Sequence, residues 1–79
     1  MTIHVEIGSQ LRTYAPNYNA DVGLKVECEP STTVGQLIEK LGIPLREAGI
    51  IMVNRRTVET DEILKDEDQV GLFVGAFGG

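Results

Sequence analysis

Cysteine and histidine each occur once in this 79-residue chain, and tryptophan does not occur at all. A lone thiol, Cys28, closes no internal disulfide, which excludes a disulfide-stapled secreted domain. Cys28 and His4 together fall short of the roughly four ligands of a structural zinc or an iron-sulfur cluster. His4 has no second His, Cys or placed carboxylate near it in sequence, so it anchors neither a metal nor a catalytic triad. Long apolar runs are also missing; none approaches the roughly 20 residues of a membrane helix. Basic charge is scarce, with seven Lys and Arg against twelve Asp and Glu, so a binder of nucleic-acid phosphates is excluded. The N-terminal residues carry no basic n-region followed by an apolar h-region, so no secretory signal is visible and the expected location is the cytoplasm. A chain this short has room for one small domain and not for a large enclosed active site.

What is present is a clear succession of periods. Ile3, Val5 and Ile7 alternate with His4 and Glu6, which predicts a half-buried strand ending at Gly8, with His4 facing solvent. Ser9 to Asp21, with Pro16, Asn17 and Asn19, has no period and reads as a loop. Val22, Leu24, Val26 and Cys28 alternate with Lys25 and Glu27, giving a second strand that pairs with the first and places Cys28 in the core. Thr33 and Gln36 have capping-box spacing. Val34, Leu37, Ile38 and Leu41 follow on one helical face, Gly42 supplies the left-handed cap and Pro44 prevents resumption. Ile50 to Val53 is a third strand, Asn54-Arg55-Arg56 a tight turn, and Thr57-Val58 a short return strand. Ile63 and Leu64 anchor a connector to the core. Gln69 to Val74 is the last strand, with Val70, Leu72 and Val74 on one face and Phe73 on the other.

The order β-β-α-β-β-β predicts an α+β domain in which about five strands form a mixed sheet with one main helix packed across it. This is the β-grasp, or ubiquitin-like, pattern, with the first and last strands side by side. Residues 1–79 form one domain, in which 75–79 follow the last strand as a flexible tail.

Two local excesses remain. Between Glu59 and Asp68 stand six acidic residues and one basic residue, so this segment alone carries the formal charge of -5 and the rest of the chain is balanced. The segment reads either as a solvated loop or, through Asp61, Glu62 and Glu67, as a docking patch for a basic partner. Three of the nine glycines lie in the last five positions. A strip without β-carbons can thread a narrow slot, and five extended residues reach about 17 Å. Phe73, pointing away from the core, and Phe77, inside the tail, are candidate anchors in a partner's groove.

Leu11-Arg12, Thr33-Val34, Leu41-Gly42-Ile43-Pro44, Val53-Asn54, Leu64-Lys65-Asp66, Asp68, Val70 and Gly78-Gly79 together make the chain resemble the MoaD/ThiS family of ubiquitin-like sulfur carriers. Its nearest type is the small subunit of molybdopterin synthase. The chain departs from the family pattern at Asn54-Arg55, where Asn-Gly is common, and after Phe73, where two prolines are common. The resemblance implies that a ubiquitin-activating-like adenylyltransferase uses ATP to adenylate the Gly79 carboxylate. A sulfur donor then displaces AMP to leave a thiocarboxylate. That sulfur is passed to a pterin precursor inside the molybdopterin synthase large subunit, for the molybdenum or tungsten cofactor. Gly75, Ala76, Phe77 and Gly78 would thread the partner's slot. The carrier would be no enzyme itself and would hold no permanent cofactor. A thiamin-thiazole sulfur carrier, a ubiquitin-like protein modifier and a plain interaction module stay open as alternatives.

Overall fold

Residues 1–73 are described by the computed structural model. Strand β1 (Thr2–Ile7) pairs antiparallel with β2 (Leu24–Glu27) and parallel with β5 (Gln69–Phe73). On its other side β5 pairs antiparallel with β3 (Ile50–Val53), and β3 pairs with the two-residue β4 (Arg56–Thr57). The mixed sheet therefore has the order β2-β1-β5-β3-β4, with β5 at its centre. Helix α1 (Val34–Lys40) connects the β1–β2 hairpin to β3. This is the β-grasp arrangement expected from the alternating periods.

Each register follows from which alternate residues are apolar. Ile3, Val5 and Ile7 face the helix and are essentially inaccessible, as are Val70 and Leu72 beside them. They pack with Val34, Leu37 and Ile38 of α1, with Leu11, Ile43, Val53 and Leu64 completing the core. Cys28 is buried there as a small apolar side chain.

At seven residues, α1 is well below the about 12–15 residues an isolated helix needs. It persists because three of its side chains are fully buried, each contributing roughly 1.5–3 kcal/mol, and because both ends are closed. The Thr33 hydroxyl accepts from the Gln36 amide at 3.2 Å, and the Gln36 side chain accepts from the Thr33 amide at 2.9 Å. The Val34 and Gly35 amides donate to the carbonyls of Glu62 and Thr60, both at 2.9 Å. The first turn thus has its free amides taken by the connector. Gly35 permits that approach, since a β-carbon there would lie 3.3 Å from the Thr60 carbonyl oxygen. At the other end Gly42 has φ +79°, and the Ile43 amide donates back to the Ile38 carbonyl.

Four expectations are corrected. Ser9–Tyr14 is a 3-10 helix and not a loop; it is anchored by the single buried side chain Leu11, too little apolar signal to show a period. The second strand begins at Leu24, because Gly23 turns the chain at φ +73° and leaves Val22 75% exposed. The return strand is Arg56–Thr57, one residue earlier than expected. Ile63 does not anchor the connector: it is 58% exposed, and only Leu64 enters the core. Val74, expected to end the last strand, lies outside the described residues. Among those described, no helix is long and apolar enough to cross a membrane.

Candidate functional site on the open face of the sheet

The helix covers one face of the sheet and leaves the other uncovered. Cross-strand partners share a face, so the registers place Thr2, His4 and Glu6 of β1 on the open side with Lys25 and Glu27 of β2. Gln69, Gly71 and Phe73 of β5 and Ile50 and Met52 of β3 belong to the same side. At its middle is a groove of about 510 Å³, walled on one side by the Tyr18–Gly23 loop and on the other by Met52 and Arg55.

Phe73 stands on this open face, as its phase predicted. It is half-buried there, and its ring lies along the sheet, not outward. A β-carbon on Gly71 would fall 2.6 Å from the ring's Cε2, and one on Gly8 3.3 Å from Cδ1. The two glycines form the shelf on which the ring rests. Ile50, opposite Phe73, is 42% exposed, and Met52 is half-buried beside Gly71. Sequence reasoning missed Ile50 and Met52 as surface residues because the continuous run Ile50-Ile51-Met52-Val53 hides the alternation; only the buried Ile51 and Val53 belong to the core.

The loop wall is held by local bonds. The Arg12 guanidinium donates to the Ile7 carbonyl at 3.1 Å and sits 5.0 Å over the Tyr18 ring. The Asn19 side chain accepts from the Asp21 amide at 2.8 Å. The opposite wall is a two-residue hairpin turn in which Asn54 and Arg55 both have positive φ, 51° and 72°. The Tyr14 hydroxyl donates to the Glu47 carboxylate, which raises its pKa above the usual 10.0.

The acidic segment is not one patch. Asp68 is almost wholly buried: its carboxylate accepts from the Lys65 amide at 2.8 Å and from the Asn54 side-chain amide at 2.9 Å. Asp66 accepts from the Thr2 amide at 2.7 Å. Both are structural. Of the candidate docking residues, Glu67 meets the His4 ring at 2.8 Å on the open face, whereas Glu62 meets Arg56 at 3.4 Å beside β4. Asp61 is exposed in the same connector as Glu62. The fold ties Glu62 and Glu67 to different strands. Gly75, Ala76, Phe77, Gly78 and Gly79 lie outside the described residues. Among the described residues no cluster of three or more His, Cys, Asp or Glu could hold a metal.

A protein-family model described as Mut7-C ubiquitin matches residues 1–73. The chain belongs to the Mut7-C ubiquitin family. Comparison with curated proteins finds no significant match. Among solved structures, this Mut7-C ubiquitin chain is similar to small archaeal modifier protein 1 of Haloferax volcanii in two crystal structures. One superposes at a TM-score of 0.75 with 17% identity over 100% of both chains. The other gives 0.72 with 16% identity over 92% of this chain and 95% of that one. It is also similar to a Pyrococcus furiosus protein described as molybdopterin converting factor, subunit 1, with a TM-score of 0.72 and 26% identity over 94% of this chain and 97% of that one. These neighbours share the ubiquitin-like β-grasp fold, and the last meets the resemblance to sulfur-carrier proteins read from the sequence. The Mut7-C ubiquitin chain thus has the fold of small ubiquitin-like carriers and modifiers.

Proposed function

We propose that this protein is a sulfur carrier of molybdopterin biosynthesis, working in the cytoplasm, and that Gly79 is its reacting residue. The observation that carries this reading is the likeness to the Pyrococcus furiosus molybdopterin converting factor subunit, which runs over nearly the full length of both chains. In the proposed sequence a carboxylate oxygen of Gly79 attacks the α-phosphorus of ATP in a partner adenylyltransferase, and pyrophosphate leaves. Sulfide-level sulfur from a donor then attacks the acyl carbon; a C–S bond forms, the C–O bond to the phosphate breaks, and AMP departs with its electron pair to leave a thiocarboxylate. The thiocarboxylate sulfur bonds to a pterin precursor in the large subunit of the synthase, and water cleaves the acyl C–S bond, restoring the Gly79 carboxylate. The carrier supplies the reacting group and its partners the catalytic machinery.

The fold suits this division of labour. β5 is the central strand, bonded on both sides, so the chain beyond Phe73 continues from a strand held by two neighbours. Six further residues can reach at most about 20 Å, sufficient to carry Gly79 into a partner's slot. Gly75, Ala76, Phe77 and Gly78 would pass through that slot, with Phe73 against its rim and Asp61, Glu62 and Glu67 meeting basic partner surface.

A second reading has its own support. The Haloferax volcanii neighbours are named modifier proteins, so Gly79 could instead join the amine of a target lysine. The two readings part in one experiment. The tagged chain is expressed in cells, and lysates are run on reducing, denaturing gels beside a variant lacking Gly78 and Gly79. A carrier gives no ladder of adducts in either lane. A ladder present only with the intact chain overturns the carrier reading in favour of the modifier.

A further inference from the structure

The groove on the open face is polarised along its length. Its floor runs across the strands from Glu6 through Gly71 to Met52, one register row of β1, β5 and β3. At the β1 end stand two exposed carboxylates, Glu6 and Asp21, neither of which has a side-chain partner among the described residues. At the β3 end stands Arg55, exposed on the hairpin turn and likewise unpaired among the described residues. Between them Met52, the Phe73 ring and the exposed Val22 make an apolar stretch, with the exposed Gln69 at its edge. His4 borders the groove but is already engaged by Glu67.

From this arrangement we infer that the groove binds an extended segment of a partner protein that carries a basic side chain at one end, an apolar side chain in the middle and an acidic side chain at the other. The basic group lies between Glu6 and Asp21, the apolar group packs beside Met52 against the Phe73 ring, which itself covers Gly71, and the acidic group meets Arg55. The volume falls in the usual range of binding pockets, about 300–1,000 Å³. The span also fixes the length of the segment. From the loop beyond β1 to the hairpin beyond β3 is about four inter-strand spacings, or about 19 Å. Five extended residues span about 17 Å, with the first, third and fifth side chains on one side, and the long end side chains reach the remainder.

This inference deepens the reading of the chain as a protein handled by partners. Its test does not involve Gly79, so the two can fail separately. The probe is the blocked pentapeptide acetyl-Lys-Ala-Leu-Ala-Asp-amide, titrated into the isotopically labelled full chain while backbone amide resonances are followed. The expected result is a saturable shift at Gly23, Met52, Arg55 and Gly71, with Val34 to Lys40 on the covered face unmoved. Arg55→Glu should weaken this peptide about fivefold, the size of one exposed ion pair. It should tighten the variant peptide with Lys at both ends by a similar factor. Asp21→Lys should weaken both peptides, and it tests the acidic end without altering the hairpin. No shift in the groove at millimolar peptide, shifts confined to the helix face, or equal affinity of both peptides for the Arg55→Glu protein would overturn the inference.

Discussion

Replacing Asp68 with alanine should destabilise this protein far more than replacing any other acid in its charged segment. Asp68 is 9% exposed and its carboxylate serves two donors, the Lys65 amide at 2.8 Å and the Asn54 side-chain amide at 2.9 Å. Asn54 in turn accepts from the Gln69 amide at 3.0 Å, and its own amide donates to the Gln69 carbonyl at 2.8 Å. The three bonds of Asn54 staple the β3–β4 turn to the start of β5, and the Lys65 bond fixes the Asp68 carboxylate in place. A hydrogen bond to a charged group contributes about 1.5–3 kcal/mol. Because the site keeps some access to water, the lower end applies, and Asp68→Ala should cost about 2–4 kcal/mol. A 79-residue domain has a total stability of roughly 4–12 kcal/mol. The loss is therefore a large fraction of the whole and should lower the Tm by about 10–25 °C. Asp68→Asn keeps one acceptor but turns an amide N–H toward the other donor, and should cost about half as much. Urea unfolding followed by circular dichroism measures each variant. A double-mutant cycle with Asn54→Ala isolates the pair; the strain of alanine at φ +51° enters both the single and the double variant and cancels. The coupling should be at least about 0.5 kcal/mol. A cost below about 0.5 kcal/mol for Asp68→Ala, the range of ordinary surface substitutions, would refute the assignment of Asp68 as a structural clasp.

Three other outcomes follow from the same bonds and burial. Leu37→Ala, at a fully buried position of α1, should cost about 2–5 kcal/mol in the same unfolding assay. Tyr14 should titrate above 10.0 by phenolate absorbance, because the Glu47 carboxylate accepts from its hydroxyl. A raised folded-state pKa of an acid stabilises the fold below the unfolded value and is lost as pH rises through the folded one. The wild type should therefore lose stability relative to Tyr14→Phe only above about pH 10. Reversing Asp61, Glu62 and Glu67 to lysine should slow association with the activating enzyme and flatten its salt dependence; unchanged kinetics in stopped-flow would leave the segment as a solvated loop.

The parts of the fold that are legible in the sequence are those with local signals. Ile3, Val5 and Ile7 spell out β1 by alternation, Thr33 and Gln36 mark the helix start, and Gly42 marks its end. Asn54 announces a turn, and that turn has the positive φ its residue type tolerates. Features set by contacts distant in sequence are not legible. Asp68 sits in a run of charges that reads as a solvated face, and nothing local separates it from Glu67; its partner Asn54 is 14 residues away. Ile63 looks like a core residue beside Leu64, but the chain is extended there and bridges Thr33, so neighbouring side chains point to opposite sides and one must face water. For the candidate site, the position of Phe73 on the open face followed from phase. Its rest on Gly71 and Gly8, and the company of Ile50, Met52 and Arg55, required the sheet order.

Intact-protein mass spectrometry tests the proposed chemistry of Gly79 directly. The full chain is incubated with ATP, its cognate activating enzyme and a sulfur source, then fragmented to locate the change. The expected result is the mass gain of one oxygen replaced by sulfur, confined to Gly79. An unmodified Gly79 in the presence of an enzyme that demonstrably forms the acyl-adenylate would contradict it.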